Sequence, residues 1–267
     1  MSPAGRTSRR SVLRAAVALG ALAVAGVGAS GCSRGPDGAV LDDGVLGPRP
    51  DGSRPRWRLA VPEGRSPRGL VVALHGFGGD ADSAFDLGYG DAVAATGLAL
   101  ASVDGGNTYW HARRDGADSG AMVRDELIPL VLSRCGLPAG SRVGLLGWSM
   151  GGFGALLLAG ELGAARVDGV VAASAALWKT AGETPAVAFD GRADFERHSV
   201  FGRVKLLAGI PVRLDCGESD PFIRANRALA GQVPGVETHF EPGGHEDGWW
   251  RDHAAAEMQW LAARTRA

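Results

Sequence analysis

The chain has 267 residues with 28 basic and 29 acidic side chains, a formal net charge of −1 that excludes both the basic footprint of a nucleic-acid binder and an acidic solvating tail. Hydrophobic residues make up 45 % and charged residues 21 %, a globular composition, and the 42 glycines follow no Gly-X-Y period, so the chain is not collagenous. The length allows one large domain or two small ones, with ample core either way.

Residues 1–32 are set apart from the fold. Arg6, Arg9, Arg10 and Arg14 precede an uncharged stretch, 15–31, that is short and weakly apolar for a spanning helix, which needs about 20 strongly apolar residues. Ser8-Arg9-Arg10-Ser11-Val12-Leu13 resembles a twin-arginine export signal. The stretch ends Ala29-Ser30-Gly31-Cys32, which resembles a bacterial lipobox with Cys32 as the acylated residue and Ala29 where that motif usually has Leu. An exported protein tied to the membrane through an N-terminal lipid is the expectation, with a secreted protein as the alternative. Cys135 and Cys216 are the remaining cysteines, too few for a disulfide framework, and are expected as unpaired core residues.

Residues 33–56 are rich in Gly, Pro and Asp without an apolar period and read as a flexible tether. From Trp57 onward short apolar runs recur at 57–61, 70–74, 98–103, 143–148, 169–173, 211–215 and 237–240. Helical stretches lie between most of them, at 82–96, 122–135, 151–162, 221–232 and 252–264. Continuous apolar strands alternating with helices predict an α/β fold, a mostly parallel sheet covered by helices on both faces, filling 57–267 as one domain. The segment 177–209 breaks the alternation and is expected to form a partial cap or pocket wall.

Gly147-Trp148-Ser149-Met150-Gly151 follows the apolar run 143–146 and opens a helical stretch. That strand–turn–helix setting is what the nucleophile elbow of α/β-hydrolases requires, and it makes Ser149 the candidate nucleophile. The turn forces the serine into a strained conformation, and only glycine lets neighbouring backbone pass close by. Neither a dinucleotide fingerprint nor a P-loop is present to explain the glycines otherwise.

A serine hydroxyl needs an oriented base, and in such folds an acid and then a histidine follow from later strand ends. Asp220, in Gly217-Glu218-Ser219-Asp220-Pro221, is the candidate acid, with Glu218 in reserve and Asp215 expected inside a strand. Asp220 followed by proline also suits a helix N-cap, and the two roles are compatible. His245, on the glycine-rich loop Pro242-Gly243-Gly244-His245, is the candidate base. His245-Glu246 does not extend to the zincin pattern, because Trp249 stands where the second histidine belongs, and no other metal-ligand spacing appears. The early loop His75-Gly76-Phe77-Gly78-Gly79 offers an oxyanion hole built from the backbone N–H groups of Phe77 and Met150.

Gly147-Trp148-Ser149-Met150-Gly151-Gly152, the His75-Gly76 loop, Gly217-Glu218-Ser219-Asp220-Pro221 and Gly243-Gly244-His245 together resemble the serine esterases grouped with esterase D, S-formylglutathione hydrolase and the antigen 85 mycolyltransferases, over residues 59 to about 261. The resemblance implies a cofactor-free enzyme working through an acyl-serine, with Ser149 attacking, His245 moving the proton and Asp220 orienting it. Gly78 stands where the mycolyltransferases have a sugar-binding arginine, a departure that bears on any sugar chemistry. The partner expected is a small-molecule ester or a lipid, not a nucleic acid. Tyr109, Trp110, His111, Trp178 and Trp249 are candidates for the pocket, and Arg113 and Arg114 for binding a substrate carboxylate or phosphate, with ordinary packing and solvation as the competing roles. An acyltransferase passing the acyl group to a sugar or lipid hydroxyl, a peptidase, and a non-catalytic ligand-binding lipoprotein remain alternatives. Oligomeric state is not legible.

Overall fold

In the computed structural model, residues 36–265 are described; the export signal and Cys32 lie outside the described residues. Eight strands form one sheet: β1 (Ala39–Val45), β2 (Arg56–Pro62), β3 (Leu70–Leu74), β4 (Ala99–Val103), β5 (Val143–Trp148), β6 (Val167–Ala173), β7 (Val212–Gly217) and β8 (Glu237–Glu241). Their order is β1-β2-β4-β3-β5-β6-β7-β8, with β1 and β2 antiparallel to their neighbours and all other pairs parallel.

The central strands are apolar on both faces because both faces are covered. Leu70, Val72 and Leu74 of β3 enter one core while Val71 and Ala73 enter the other, and Leu145 and Leu146 of β5 divide in the same way. One core packs under α3 (Ser119–Met122), α4 (Ile128–Arg134) and α5 (Met150–Leu162). The other packs under α1 (Ser83–Asp86), α2 (Val93–Thr96) and α8 (Asp247–Ala262). Two further helices are α6 (Arg192–His198) and α7 (Ile223–Ala230).

The tether expected over 33–56 is corrected by β1. Ala39–Val45 pairs along its whole length with β2, from Ala39 opposite Pro62 to Val45 opposite Arg56. Of its seven residues only Ala39 and Leu41 are buried; further along the same face Asp43 and Val45 are exposed. An edge strand covered on one side needs no continuous apolar run.

Helical boundaries also shift. The helix expected over 82–96 divides into α1, a 3-10 turn at Tyr89–Ala92 and α2, with Gly88 at φ +82° between them. The helix expected from Met122 begins at Ser119, where the Asp118 carboxylate accepts the Ala121 N–H at 2.8 Å. It then widens into a π turn at Val123–Leu127 just ahead of Pro129, which has no N–H to give. The segment 177–209 is packed, with Ala188, Phe189, Phe195, Val200 and Leu207 buried and α6 within it. Cys135 and Cys216 are free and buried.

Candidate active site

Ser149 follows β5 directly and caps α5 with φ 54° and ψ −119°. The strain is imposed by the close passage of three backbone segments. A Cβ on Gly147 would lie 2.2 Å from the Gly151 carbonyl oxygen, so glycine is required there. The backbone of Ser149 is gripped from β6: its N–H donates to Ala173 O at 2.9 Å and its carbonyl accepts from Ala176 N–H at 2.9 Å.

The loops after β7 and β8 deliver the other two groups to the same edge. His245 Nε2 is 2.9 Å from Ser149 Oγ, and His245 Nδ1 is 2.8 Å from Asp220 Oδ2. Both contacts are hydrogen bonds when Nδ1–H donates to Asp220 and Nε2 accepts the serine O–H, which assigns the tautomer. Asp220 is buried, and its other oxygen accepts the Phe222 N–H at 2.7 Å. Burial alone pushes its carboxyl up, but hydrogen bonds from His245, Phe222 N–H and Ser174 outweigh that and hold it below the usual aspartate value. The two loops are stitched together by Glu218 N–H to Glu241 O at 2.7 Å and Ser219 N–H to Gly243 O at 2.9 Å. Glu218 faces outward in an ion pair with Arg227, and Asp215 lies within β7 paired with Arg213.

The oxyanion loop follows β3. Gly79 N–H donates to Gly76 O at 3.1 Å, and the Phe77 amide donates to no acceptor among the described residues. The Met150 amide opens α5 and belongs to the first turn, whose N–H groups have no intrahelical acceptor. His75 is buried: its Nε2 accepts Gly105 N–H at 2.9 Å and its Nδ1–H donates to Gly76 O at 2.7 Å. Burial lowers its pKa, in keeping with a neutral ring in this bridging role. Asn107 Oδ1 accepts Gly78 N–H at 2.7 Å. The strand-to-helix loop 104–118 thus holds the oxyanion loop from behind.

A cavity of about 450 Å³ opens on Ser149 and His245 and is lined by Phe77, Ser83, Asp86, Trp148, Asp247, Trp250 and Arg251 among others. None of the five pocket candidates lines it. Tyr109 and Trp178 stand beside it in an aromatic arc, with ring centroids 5.4 Å apart from His245 to Phe222, 5.6 Å from Phe222 to Trp178, 5.7 Å from Trp178 to Tyr109 and 6.4 Å from Tyr109 to Phe77. Trp110 is buried against Gly105 and Gly154 and donates Nε1–H to His75 O. Trp249 stacks on His253 and covers Gly243, while its neighbour Trp250 is the residue that meets the cavity. Sequence reasoning missed Asn107, Ser174 and the wall residues Asp86, Asp247 and Arg251; none carries a motif.

Arg113 is not free for an anion, whereas the exposed Arg114 guanidinium reaches only the Asp190 backbone oxygen, at 2.8 Å. Arg113 forms a two-armed ion pair with Asp190, and Arg114 donates its backbone N–H to the same carboxylate at 2.6 Å. Led by the Arg113 hydrogen bond, these contacts push the Asp190 carboxyl down to about 2.

His111 is buried and grouped with Asp194 and His198, a set of types that can hold a metal ion. The two rings stack at 4.3 Å and 22°, so their in-plane lone pairs cannot converge on one ion. Asp194 is also engaged, by Asp190 N–H at 2.9 Å, His198 Nδ1 at 3.0 Å and Arg197 at 3.2 Å. The cluster fastens the segment 177–209 to the loop carrying Tyr109.

This strand order, with the nucleophile turn after the fifth strand and the acid and base after the seventh and eighth, is the α/β-hydrolase fold. Among solved structures, the chain is similar to an S-formylglutathione hydrolase from Agrobacterium tumefaciens (17 % identity, 86 % of this chain and 96 % of that chain, TM-score 0.73). It is also similar to the fluorophosphonate-binding serine hydrolase F of Staphylococcus aureus (16 %, 85 % and 99 %, 0.73) and to a thermostable esterase from Pseudomonas putida (15 %, 88 % and 86 %, 0.67). No protein-family model and no curated protein matches the sequence.

Proposed function

We propose that the protein is an exported serine hydrolase that cleaves carboxylic esters through an acyl-serine intermediate. The observation that carries this reading is the unbroken relay from Ser149 Oγ through His245 to Asp220, at 2.9 and 2.8 Å. The esterase and serine hydrolase names borne by chains of the same fold support the choice of ester bonds.

Ser149 Oγ attacks the ester carbonyl as His245 Nε2 takes its proton. The negative charge that develops on the carbonyl oxygen is met by the N–H groups of Phe77 and Met150. Asp220 holds the ring in the working tautomer and stabilises the imidazolium. Collapse expels the alcohol, protonated by His245, and leaves the acyl group on Ser149. Water, deprotonated by His245, then releases the acid.

The test is a series of nitrophenyl esters from acetyl to palmitoyl, run on wild type and Ser149→Ala. Turnover falls by about 10³-fold or more in the variant, leaving only what binding and the oxyanion hole supply. Equal rates would remove Ser149 from the mechanism, and wild type that binds esters without turning them over would favour the ligand-binding alternative.

A second reading, acyl transfer to an alcohol, is supported by the polar side chains of Ser83, Asp86, Asp247 and Arg251 beside the nucleophile, where a hydroxylated acceptor has room. Product analysis with and without a sugar acceptor separates it from hydrolysis.

Export and lipidation rest on the residues around Arg9, Arg10 and Cys32. Among the described residues no helix is long and apolar enough to cross a membrane. Since β1 starts at Ala39, residues 33–38 alone separate it from Cys32, and a lipid there would keep the sheet within about 25 Å of the bilayer at full extension. Membrane fractionation of Cys32→Ala tests this; retention in the membrane fraction counts against the anchor.

A further inference from the structure

Ser174 is the residue that follows β6. It is fully buried, and its φ of 47° places it in the left-handed region, which a serine does not adopt without cause. Its N–H donates to Asp215 O on β7 at 2.7 Å. Ala173, just before it, and Ala176, two residues after it, are the ones that grip the backbone of Ser149. The unusual turn therefore lies between two contacts to the nucleophile and aims a hydroxyl into the space behind the triad.

That hydroxyl accepts the Trp250 Nε1–H at 3.0 Å. A serine oxygen that accepts one bond still has its own proton to give. The Asp220 carboxylate is close by, and the Ser174 hydroxyl is one of the groups that favour the charged form of that acid. Cys216 also neighbours Ser174, but burial pushes its thiol up to about 12, so it offers no competing anion. The other charged pair close by, Arg213 with Asp215 on β7, is already satisfied within itself. Trp250 in turn meets His245 edge to face, with centroids 4.9 Å apart and planes at 87°, while Phe222 flanks the ring on another side at 5.4 Å. One side chain thus reaches the base through an indole and lies beside the acid.

We propose that Ser174 is a positioning residue of the triad, holding Trp250 against His245 with its oxygen and Asp220 in place with its proton. The proposal rests on the serine hydrolase reading above. Without the hydroxyl, Asp220 becomes more basic and attracts the neighbouring imidazolium more strongly, and the His245 ring loses the wall that limits its rotation.

The experiment measures kcat, KM and the pH profile of kcat/KM on a nitrophenyl ester, together with the rate at which a fluorophosphonate labels Ser149, for Ser174→Ala, Ser174→Gly and Trp250→Phe. In Ser174→Ala, kcat drops about 10-fold with KM within about 2-fold, and labelling slows in parallel. The acid limb of its pH profile moves up by a few tenths of a unit. Ser174→Gly shows the same losses, because glycine accepts the left-handed backbone freely and lacks only the hydroxyl. The Ser174→Ala, Trp250→Phe double variant is no slower than Ser174→Ala alone, as expected for two residues acting through one contact. A full rate in Ser174→Gly alongside a slow Ser174→Ala would assign the effect to backbone conformation and overturn the proposal. So would an unmoved acid limb in both. Wild type that neither turns over esters nor takes the label would instead sink the hydrolase reading, which keeps the two failures apart.

Discussion

A Cβ on Gly151 would sit 1.8 Å from the carbonyl oxygen of Leu74, so the first turn of α5 and the end of β3 touch backbone to backbone. This contact brings the Met150 amide and the Phe77 loop to one rim, because no side chain stands between the two segments. Gly151→Ala must push them apart. Activity on a nitrophenyl ester is expected to fall by at least about 100-fold, the scale of losing one oxyanion donor, together with a lower Tm. A variant with wild-type kcat would show that the hole does not depend on this approach.

Asn107 acts on the same hole from outside the chemistry. Its side-chain oxygen takes the Gly78 N–H and so orients the peptide after Phe77. Asn107→Ala frees that turn, and kcat is expected to fall by about 10-fold with little change in KM, since the interaction supports the transition state more than the ground state. A change confined to KM would place Asn107 in substrate binding instead.

Asp190 clamps the segment 177–209 to the loop bearing Tyr109 through Arg113 and Arg114. Its carboxyl titrates at about 2 in the folded protein, against about 4 for an unfolded aspartate. A depressed acid of this kind contributes stability that is complete above the unfolded value and lost as pH falls through the folded one. Asp190→Asn should therefore lower Tm at pH 6 and expose 181–191 to limited proteolysis. The difference from wild type should shrink steadily between about pH 4 and 2. A gap that stays constant over that range would mean the carboxylate charge is not what holds the clamp.

Beneath α8, Glu257 is fully buried beside the Arg213–Asp215 pair and accepts the Tyr89 hydroxyl at 2.8 Å. Burial first, and then the Asp215 charge, push its carboxyl well above the ordinary value, so it is neutral in the folded chain. A raised acid weakens the fold as pH climbs above the unfolded pKa, because only the unfolded state then releases the proton. Glu257→Gln removes that penalty, and its Tm relative to wild type should rise from pH 4 to pH 8. Arg213→Met leaves Asp215 buried without its cation, and a loss of about 3–5 kcal/mol in denaturant unfolding is expected. Comparable losses in both variants would contradict the neutral assignment for Glu257.

Much of the site was legible before any coordinates, for a steric reason. Ser149, the Phe77 loop and the His245 loop all sit where backbones pass too closely for a Cβ, and such places are written as glycine: Gly147, Gly151 and Gly217 each meet a backbone oxygen within 2.4 Å of where a Cβ would stand. Asp220 was found by its position after an apolar run and before proline. β1 carries no such signal, because an edge strand with only two buried residues, followed by Asp42 and Asp43, reads as a linker. Trp110 and Trp249 share the composition of pocket residues but are buried elsewhere, and Trp250, one position from Trp249, meets the cavity. Aromatic side chains satisfy core and pocket equally well, so their identity does not choose between the two.

Period and punctuation along the chain determined the wound sheet, the strained nucleophile turn and the types of group assembled around it, because those depend on short-range sterics and on which faces must be apolar. Only the folded arrangement decided what stands behind and beside these groups. Ser174 has no motif, and its role exists because β6 ends next to β5 and β7 in space, where its hydroxyl meets Trp250 and Asp220 from distant parts of the chain. Arg113 likewise reads as a free cation until Asp190, far along the chain, closes on it. Contacts between residues remote in sequence carry no local steric signature, so their partners appear only when the chain is closed upon itself.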